Sequence, residues 1–462
     1  MSFLASPIKY CTFCDIFMVK GRYTMNKNPL KNIVTKQKNG EAVGIYSACS
    51  ASEFVIEAVL ERAKETESVV LIEATANQVD QNGGYTGMKP ADFRDKVFKI
   101  ADKVGLDHSR IFLGGDHLGP LTVTNLPEKE AMEYARTLVH EYVAAGFTKI
   151  HIDTSMKVAD DDPDTRLSDE TISRRGAELA RVCEDAYQEL LKTNPDAVRP
   201  VYIVGSEVPI PGGAQDPNAG MQVTRVEDFK ATYKAFEAAF KNQGLEETWE
   251  DVIAVVVQPG VEEKDAGCTE YDREKATELM ASIKEFPNIV FEGHSTDYQT
   301  KYKLKELVED GVGILKVGPG LSYAAREGLF ALAYIEEMVM HGHEEEQSHF
   351  IDVLEAEMLK EPKNWAKHYH GNDNELWFKR KFSFSDRSRY YMPTAAVTEA
   401  KDKLFANLNK YGISLAALSQ FMPIQYTKVR EGLLENKPEE LVKDRVKYTV
   451  DEYMFASHQE KL

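Results

Sequence analysis

The feature that most constrains this chain is a rhythm. Eight times between about residues 43 and 340, a short β-branched run gives way to a polar motif and then to a longer charged stretch with helical spacing. The runs are VGIYSA (43–48), VVLIEA (69–74), RIFLGG (110–115), KIHID (149–153), VYIVGS (201–206), VIAVVV (252–257), NIVFEG (288–293) and GILKVG (313–318). Helical patterns follow over 52–65, 90–105, 128–146, 168–192, 226–244, 272–286, 301–311 and 331–339. Continuous apolar strands alternating with amphipathic helices specify a parallel sheet covered by helices. Eight such units over about 290 residues predict an α/β fold, a (β/α)8 TIM barrel, occupying residues 28–340.

A doubly wound open sheet is the competing architecture, but it gathers its ligand at one switch point beside a Gly-rich first turn. Here chemically loaded residues follow nearly every strand: Ser47 and Cys49, Glu73 and Asn77, Asp116 and His117, Asp153, Glu207, Gln258, His294, and Lys316 with Gly318. In a barrel all these strand ends meet on one face, so the scattered residues become one pocket. After residue 340 the rhythm stops, and amphipathic stretches such as TEAKDKLFANLNKYG predict a mainly helical C-terminal region over 341–462. No long Pro/Gly/Ser linker precedes it, so it is expected to pack on the barrel. Residues 1–27 read as an N-terminal extension, and Met25 is an alternative start that would make residues 1–24 dispensable.

Charge narrows the partners. With 56 Lys plus Arg against 75 Asp plus Glu, the net charge of -19 repels nucleic-acid phosphates and anionic lipid, so neither is an expected partner. No apolar run approaches the about 18 residues of a membrane span, and no h-region of a signal peptide precedes the barrel. The five scattered Cys make no disulfide framework and point to a reducing cytoplasm. Cys11 and Cys14 form a CxxC without a second pair or a His at finger spacing, so no zinc site is expected there.

The segment LGGDHLGP (113–120) sets Asp116 and His117 at a strand end, where its two Gly are expected to let the backbone bend close to a ligand. An Asp beside a His suits a base next to a metal ligand. Glu207 in VGSEVPIPGG and His294 in FEGHSTDYQT follow later strands. Together His117, Glu207 and His294 form a His2Glu set, the pattern of an open catalytic site for a divalent metal, zinc first and manganese as the alternative. Within KIHID, alternation is expected to aim Asp153 into the pocket as a catalytic group and to leave His151 structural. His341, His343 and His349 are expected to be solvated, and His368 and His370 carry no assignment.

For an anionic substrate the candidates are the backbone N–H groups and small side chains of KVGPGLS (316–322), namely Lys316, Gly318, Gly320 and Ser322, because barrels commonly bind phosphate after strands seven and eight. Such a site needs no basic surface. Ser47, Glu73, Asn77, Gln258, Ser295 and Asp297 complete the expected substrate contacts. GGYTG (83–87) is a second flexible loop, and SDRSRYY (385–391) offers Arg387 and Arg389, with an interdomain salt bridge as the competing use of that pair.

The strings IEATANQVDQNGGYTGMKPADFR (72–94), GGDHLGP, GSEVPIPGG, VVQPGVE (256–262), EGHSTDYQT, LKVGPGLS and SDRSRYYMP closely resemble the larger, so-called non-catalytic subunit of class II D-tagatose-1,6-bisphosphate aldolase. The resemblance runs from about residue 28 to near the C-terminus. It implies a role in galactitol or N-acetylgalactosamine catabolism, where D-tagatose 1,6-bisphosphate is split into dihydroxyacetone phosphate and glyceraldehyde 3-phosphate. It also implies a smaller catalytic aldolase subunit as partner; a homo-oligomer is compatible with the same sequence. An older family label, tagatose 6-phosphate kinase, finds no support, since neither a GxxxxGK[ST] loop nor a kinase signature set is present.

The chain is also similar in outline to the catalytic class II aldolases. That similarity matches Asp116 to the catalytic acid/base, His117 to the first metal ligand and His294 to the last. Two departures stand out: Glu207 takes the place of a second His ligand, and Ser295, Thr296, Asp297 and Tyr298 replace the Gly-rich phosphate run. Three functions follow from these residues: a metal-dependent aldolase, a metal-dependent ketose 4-epimerase, and a subunit that only stabilises its partner. A purely stabilising subunit has no need of an Asp, two imidazoles and a carboxylate at one barrel mouth.

Overall fold

The computed structural model describes residues 28–206 and 222–462, so the N-terminal extension with its CxxC, and Glu207, lie outside the described residues. Eight parallel strands close into the barrel that the rhythm predicts. In chain order the strands are β1 (Ile45–Cys49), β2 (Val70–Thr75), β3 (Ile111–Leu118), β4 (Lys149–Ile152), β5 (Val201–Val204), β6 (Val252–Val257), a small antiparallel hairpin of β7 (Glu262–Lys264) and β8 (Gly267–Thr269), then β9 (Val290–Gly293) and β10 (Val312–Val317). β10 pairs with β1 to complete the closure, and the hairpin stands outside the ring.

Helix α1 (Lys31–Lys38) precedes the barrel. Around it lie α2 (Glu53–Glu65), α3 (Pro90–Val104), α4 (Glu128–Ala144), α5 (Asp169–Thr193), α6 (Val226–Asn242), the short α7 (Glu246–Trp249), α8 (Arg273–Ser282), α9 (Lys301–Glu309) and α10 (Pro319–Val339). The C-terminal region is helical: α11 (Phe350–Lys360), α12 (Asp373–Phe382), α13 (Ala395–Tyr411), α14 (Leu415–Phe421), α15 (Pro423–Arg430) and α16 (Pro438–Ser457). Two boundaries differ from expectation. α10 begins directly after β10, twelve residues before the expected 331, with Pro319 supplying the fixed φ of a first turn. β3 runs on to Leu118, so Asp116 and His117 belong to the strand itself.

The barrel interior is layered. At the starts of the strands, Ile45, Leu71, Phe112, Val201, Ile253, Val290 and Ile314 form an apolar plug with Leu30, Ile33 and Val34 of the α1 segment. α1 thus closes the floor, a place that its short amphipathic sequence does not announce. Above the plug lies an ionic layer in which buried Lys149 reaches Glu73 and Glu292, each at 2.7 Å. The polar strand ends lie above that layer.

A bulge on β3 builds the next level. Gly115 pairs with Ile150 and Leu118 with Ile152, so three steps on β3 oppose two on β4, and His117 takes φ of 52°. A simple strand would send neighbours 116 and 117 to opposite faces; the extra residue turns both inward. Gly114 and Gly115 serve packing, contrary to the ligand role expected of them. A Cβ on Gly114 would lie 2.5 Å from the Glu73 side chain, and one on Gly115 2.7 Å from Tyr142.

The last helix returns to the barrel. α16 packs among α2, α9 and α10 and touches β1. Ser457 accepts the Gly44 N–H at 2.7 Å, and the Gln459 side chain accepts the Tyr46 N–H at 3.2 Å, so the chain's end satisfies the lead into β1.

Candidate active site

At the C-terminal ends of the strands lies a pocket walled by Asn77, Gln78, Tyr85, Asp116, His117, Glu263, His294, Ser295, Asp297, Lys316, Gly318, Arg389 and Tyr390. Three imidazoles cluster at its base, His117 and His294 lining it and His151 buried against them. The ring centroids of His117, His151 and His294 are 5.0–5.2 Å apart, a near-equilateral triangle. Each ring has one nitrogen on a buried carboxylate: His117 Nδ1 lies 2.8 Å from Asp153, His151 Nδ1 2.8 Å from Asp116, and His294 Nε2 2.9 Å from Glu292.

His151 is therefore no bystander. Residues 149, 151 and 153 are two apart and share one face of β4, so period two sends His151 inward together with Asp153, and both are 0% exposed. Asp153 is also corrected: it stands behind His117, off the pocket wall, and its second oxygen takes the Ser155 hydroxyl at 2.6 Å.

Charge explains the settings of these groups. Burial raises the Asp116 carboxyl, but His117, Lys316 and the hydrogen bond from His151 outweigh it and hold Asp116 well below the usual range. Burial likewise opposes Asp153 and Glu292, yet the imidazoles, and Lys149 for Glu292, hold both carboxyls low. His117 is raised: burial disfavours its cation, and Asp116 and Asp153 overcome that cost. His294 is pushed down to about 4, chiefly by burial. Lys316 bonds Glu73 and lies 2.9 Å from Asp116; burial disfavours its charge, but these carboxylates keep it a firm ammonium. Cys49, also on the wall, is pushed up to about 12 by burial and stays a thiol.

Four buried carboxylates, Glu73, Asp116, Asp153 and Glu292, thus share two ammonium groups, Lys149 and Lys316. The carboxylates outnumber the ammonium groups by two, an excess that the proton favoured on His117 only half offsets. His151 Nε2 is buried with no hydrogen-bond partner among the described residues. One donor atom from each of Asp116, His151, Glu292 and His294 falls within 4.8 Å of the others. Charge, orphaned nitrogen and donor chemistry all fit a divalent cation held by N and O ligands. Of the expected set, His294 belongs to this tightest group and His117 faces it from the third corner, while Glu207 lies outside the described residues.

Some expected substrate contacts lie elsewhere. Ser47 and Glu73 sit below the pocket in the barrel core. The Gln258 side chain accepts the N–H groups of Gly260 and Val261 at 2.7 and 2.9 Å and so holds its own turn. Ser322 donates to Asp386 at 2.6 Å, and Arg387 to His368 at 3.2 Å, so both tie the C-terminal segment in place.

The expected anion cradle is taken as well. Asp297 Oδ1 accepts the N–H groups of Gly318 and Gly320 at 2.9 and 2.7 Å. Arg389 does reach the wall, propped on the carbonyls of Ser385 and Asp386 at 2.5 and 2.9 Å. Beside it Tyr390 meets Tyr85 of the GGYTG loop edge-on, with centroids 4.8 Å apart. Glu263, Tyr85 and Tyr390 are pocket residues that sequence reasoning left unassigned, although all three fall within the motifs GGYTG, SDRSRYY and the stretch after VVQPG.

A closed eight-stranded (β/α)8 barrel with a metal-compatible His/Asp/Glu cluster at the C-terminal strand ends defines a TIM-barrel protein with its candidate site at the mouth of the barrel. The sequence model of the D-tagatose-1,6-bisphosphate aldolase subunit GatZ/KbaZ-like family matches residues 30–458, and the chain belongs to that family. It is 44% identical over 427 residues to the D-tagatose-1,6-bisphosphate aldolase subunit GatZ of Salmonella paratyphi B, covering 92% of this chain and 99% of that one. The GatZ subunit of Salmonella typhimurium is equally similar, at 44% with the same coverage. Among solved structures, a probable tagatose 6 phosphate kinase from Sinorhizobium meliloti 1021 matches with TM-score 0.81 and 42% identity over 90% of this chain and all of that one. No described helix is long and apolar enough to cross a membrane.

Proposed function

We propose that this chain is a component of a class II D-tagatose-1,6-bisphosphate aldolase and itself carries a metal-dependent retro-aldol site for ketose phosphates. Its family supports the first part. The triangle of imidazoles, each backed by a buried carboxylate, supports the second.

His151 and His294, with Asp116 and Glu292 beside them and His117 opposite, would hold the metal, zinc or manganese. When bound, the metal supplies Lewis-acid polarisation of the ketose carbonyl. The chain does the rest. Asp116, kept ionised, accepts the C4-hydroxyl proton as the C3–C4 bond breaks and returns it in the reverse direction. Lys316 holds Asp116 in place and sets positive charge at the wall where substrate oxygens gain negative charge. A Schiff-base route through Lys316 does not suit an amine kept protonated by two carboxylates. Asn77, Ser295 and Arg389 are placed to orient sugar hydroxyls or an anionic group.

A second activity is favoured by one observation: the C-terminal segment contributes Arg389 and Tyr390 to the pocket wall, with Tyr390 against Tyr85. A retained aldehyde fragment that rotates and re-adds inverts C4, which is 4-epimerisation of fructose-type and tagatose-type ketoses. The protein acts in a reducing cytoplasm beside a smaller catalytic subunit, in line with free Cys49, Cys183 and Cys268 and with relatives named as subunits.

The test is an assay of the purified full chain with tagatose and fructose phosphates, with and without zinc or manganese and a chelator. Release of triose phosphates supports the aldolase, and isomer exchange without release supports the epimerase. Inactivity under every metal condition, relieved only by a partner subunit, would remove the site from this chain.

A further inference from the structure

Barrel enzymes commonly seat a phosphoryl group on backbone N–H groups after strands seven and eight, at the start of the following helix. In this chain that place is β10–α10, and a side chain already fills it. Asp297 Oδ1 takes both the Gly318 and the Gly320 N–H, and the fit is close enough that a Cβ on Gly320 would lie 3.0 Å from that oxygen. The loop that delivers Asp297 is fixed. Ser295 and Tyr298 both hold positive φ, 54° and 62°, and the Tyr298 ring stacks on Phe384 at 4.2 Å while its hydroxyl donates to the Phe384 carbonyl at 2.6 Å.

A second carboxyl, independent of the helix end, faces the same wall. Glu263 of the β7–β8 hairpin lines the pocket, is 2% exposed, and its Oε2 has no hydrogen-bond partner among the described residues. An acceptor buried and unpaired at a pocket wall wants a donor from the ligand. A sugar hydroxyl is such a donor; a phosphoryl group, which is itself an anion rich in acceptors, is not. A phosphate at this end would compete with Asp297 for the two N–H groups, and the unpaired Glu263 oxygen offers it no donor.

We propose that Asp297 and Glu263 together exclude phosphate from the β10–α10 end of the pocket, so that the keto-sugar bound there presents free hydroxyl groups to this wall. The ligand class is therefore a ketose carrying at most one phosphate, placed away from α10. This deepens the ketose-phosphate reading given above and rests on it for the identity of the sugar.

Two titrations on the metal-loaded full chain test it. In the first, the wild-type protein is titrated calorimetrically with D-tagatose 1,6-bisphosphate and with each of its two monophosphates. The expected result is that the better monophosphate binds at least as tightly as the bisphosphate; tighter binding of the bisphosphate than of both overturns the proposal. In the second, inorganic phosphate alone is titrated into wild type and into Asp297→Ala, which frees the two N–H groups. A gain of at least tenfold is expected, and unchanged binding by a folded Asp297→Ala protein overturns it. If no ketose or ketose phosphate binds at all, the assigned substrate class fails while the phosphate titration still decides this point; if the variant does not fold, the wild-type comparison decides it.

Discussion

Asp153 and His117 form a buried pair, with Oδ2 of the first 2.8 Å from Nδ1 of the second, and neither the carboxylate nor its other hydrogen bonds face the pocket. Asp153 therefore acts through His117. It fixes the ring's tautomer and orientation and raises its basicity, as carboxylates behind metal-site imidazoles do. Asp153→Asn is expected to fold, to lower activity by about 10–100-fold, and to move the His117 titration, followed by imidazole NMR, to lower pH. A variant with an unmoved His117 titration would show that the pair does not set the ring's state.

The donor geometry assigns metal retention to His151 as well as His294. His151→Ala is expected to lower the bound metal, measured by elemental analysis after dialysis, by at least about tenfold. His343→Ala, at an exposed site, serves as the matched control and is expected to keep the wild-type content. Full retention of metal by His151→Ala would return that residue to a packing role.

The barrel was legible because all eight strands repeat one pattern, and pattern survives without knowledge of contacts. The convergence of Asp116, His117, His294 and Lys316 followed from that topology. What remained hidden was set by tertiary geometry. The β3 bulge that turns both Asp116 and His117 inward leaves no mark on apolar periodicity. Glu263 rides on a three-residue strand too short for any period to declare, and Asp297 found its N–H partners across a loop. His151 is a different case: its inward aim was readable from its two-residue spacing to Asp153.

Helix α16 is the brace between the C-terminal region and the barrel. Buried Lys443 lies 3.0 Å from Glu57 and 2.6 Å from Glu61 of α2 and 2.8 Å from Glu440 of its own helix. Removing the ammonium leaves carboxylates without their cation, which costs roughly 3–5 kcal/mol when such a pair is buried. Lys443→Ala is expected to lower Tm by several degrees, and truncation after residue 340 is expected to give insoluble protein, since it bares the faces of α2, α9 and α10 that α16 covers. A soluble, cooperatively melting 28–340 fragment would show that the barrel stands without its brace.

Asp297 makes an opposite electrostatic prediction from the metal-site carboxylates. Burial and then the neighbouring Glu263 push its carboxyl up to about 7, although the Gly318 and Gly320 N–H groups and Arg389 pull the other way. The folded state therefore holds its proton more tightly than the unfolded chain, which loses it near pH 4. Stability from this group is complete below about pH 4 and is lost as pH rises toward 7, the reverse of a carboxylate whose folded value is depressed. The loss is on the order of 4 kcal/mol. Asp297→Asn keeps an oxygen for the two N–H groups and cannot titrate there. Its Tm relative to wild type, at fixed metal content, is expected to rise between pH 4 and 7 and to level off above, by several degrees in all. A Tm difference that stays flat across that range would mean that Asp297 is ionised in the folded protein throughout.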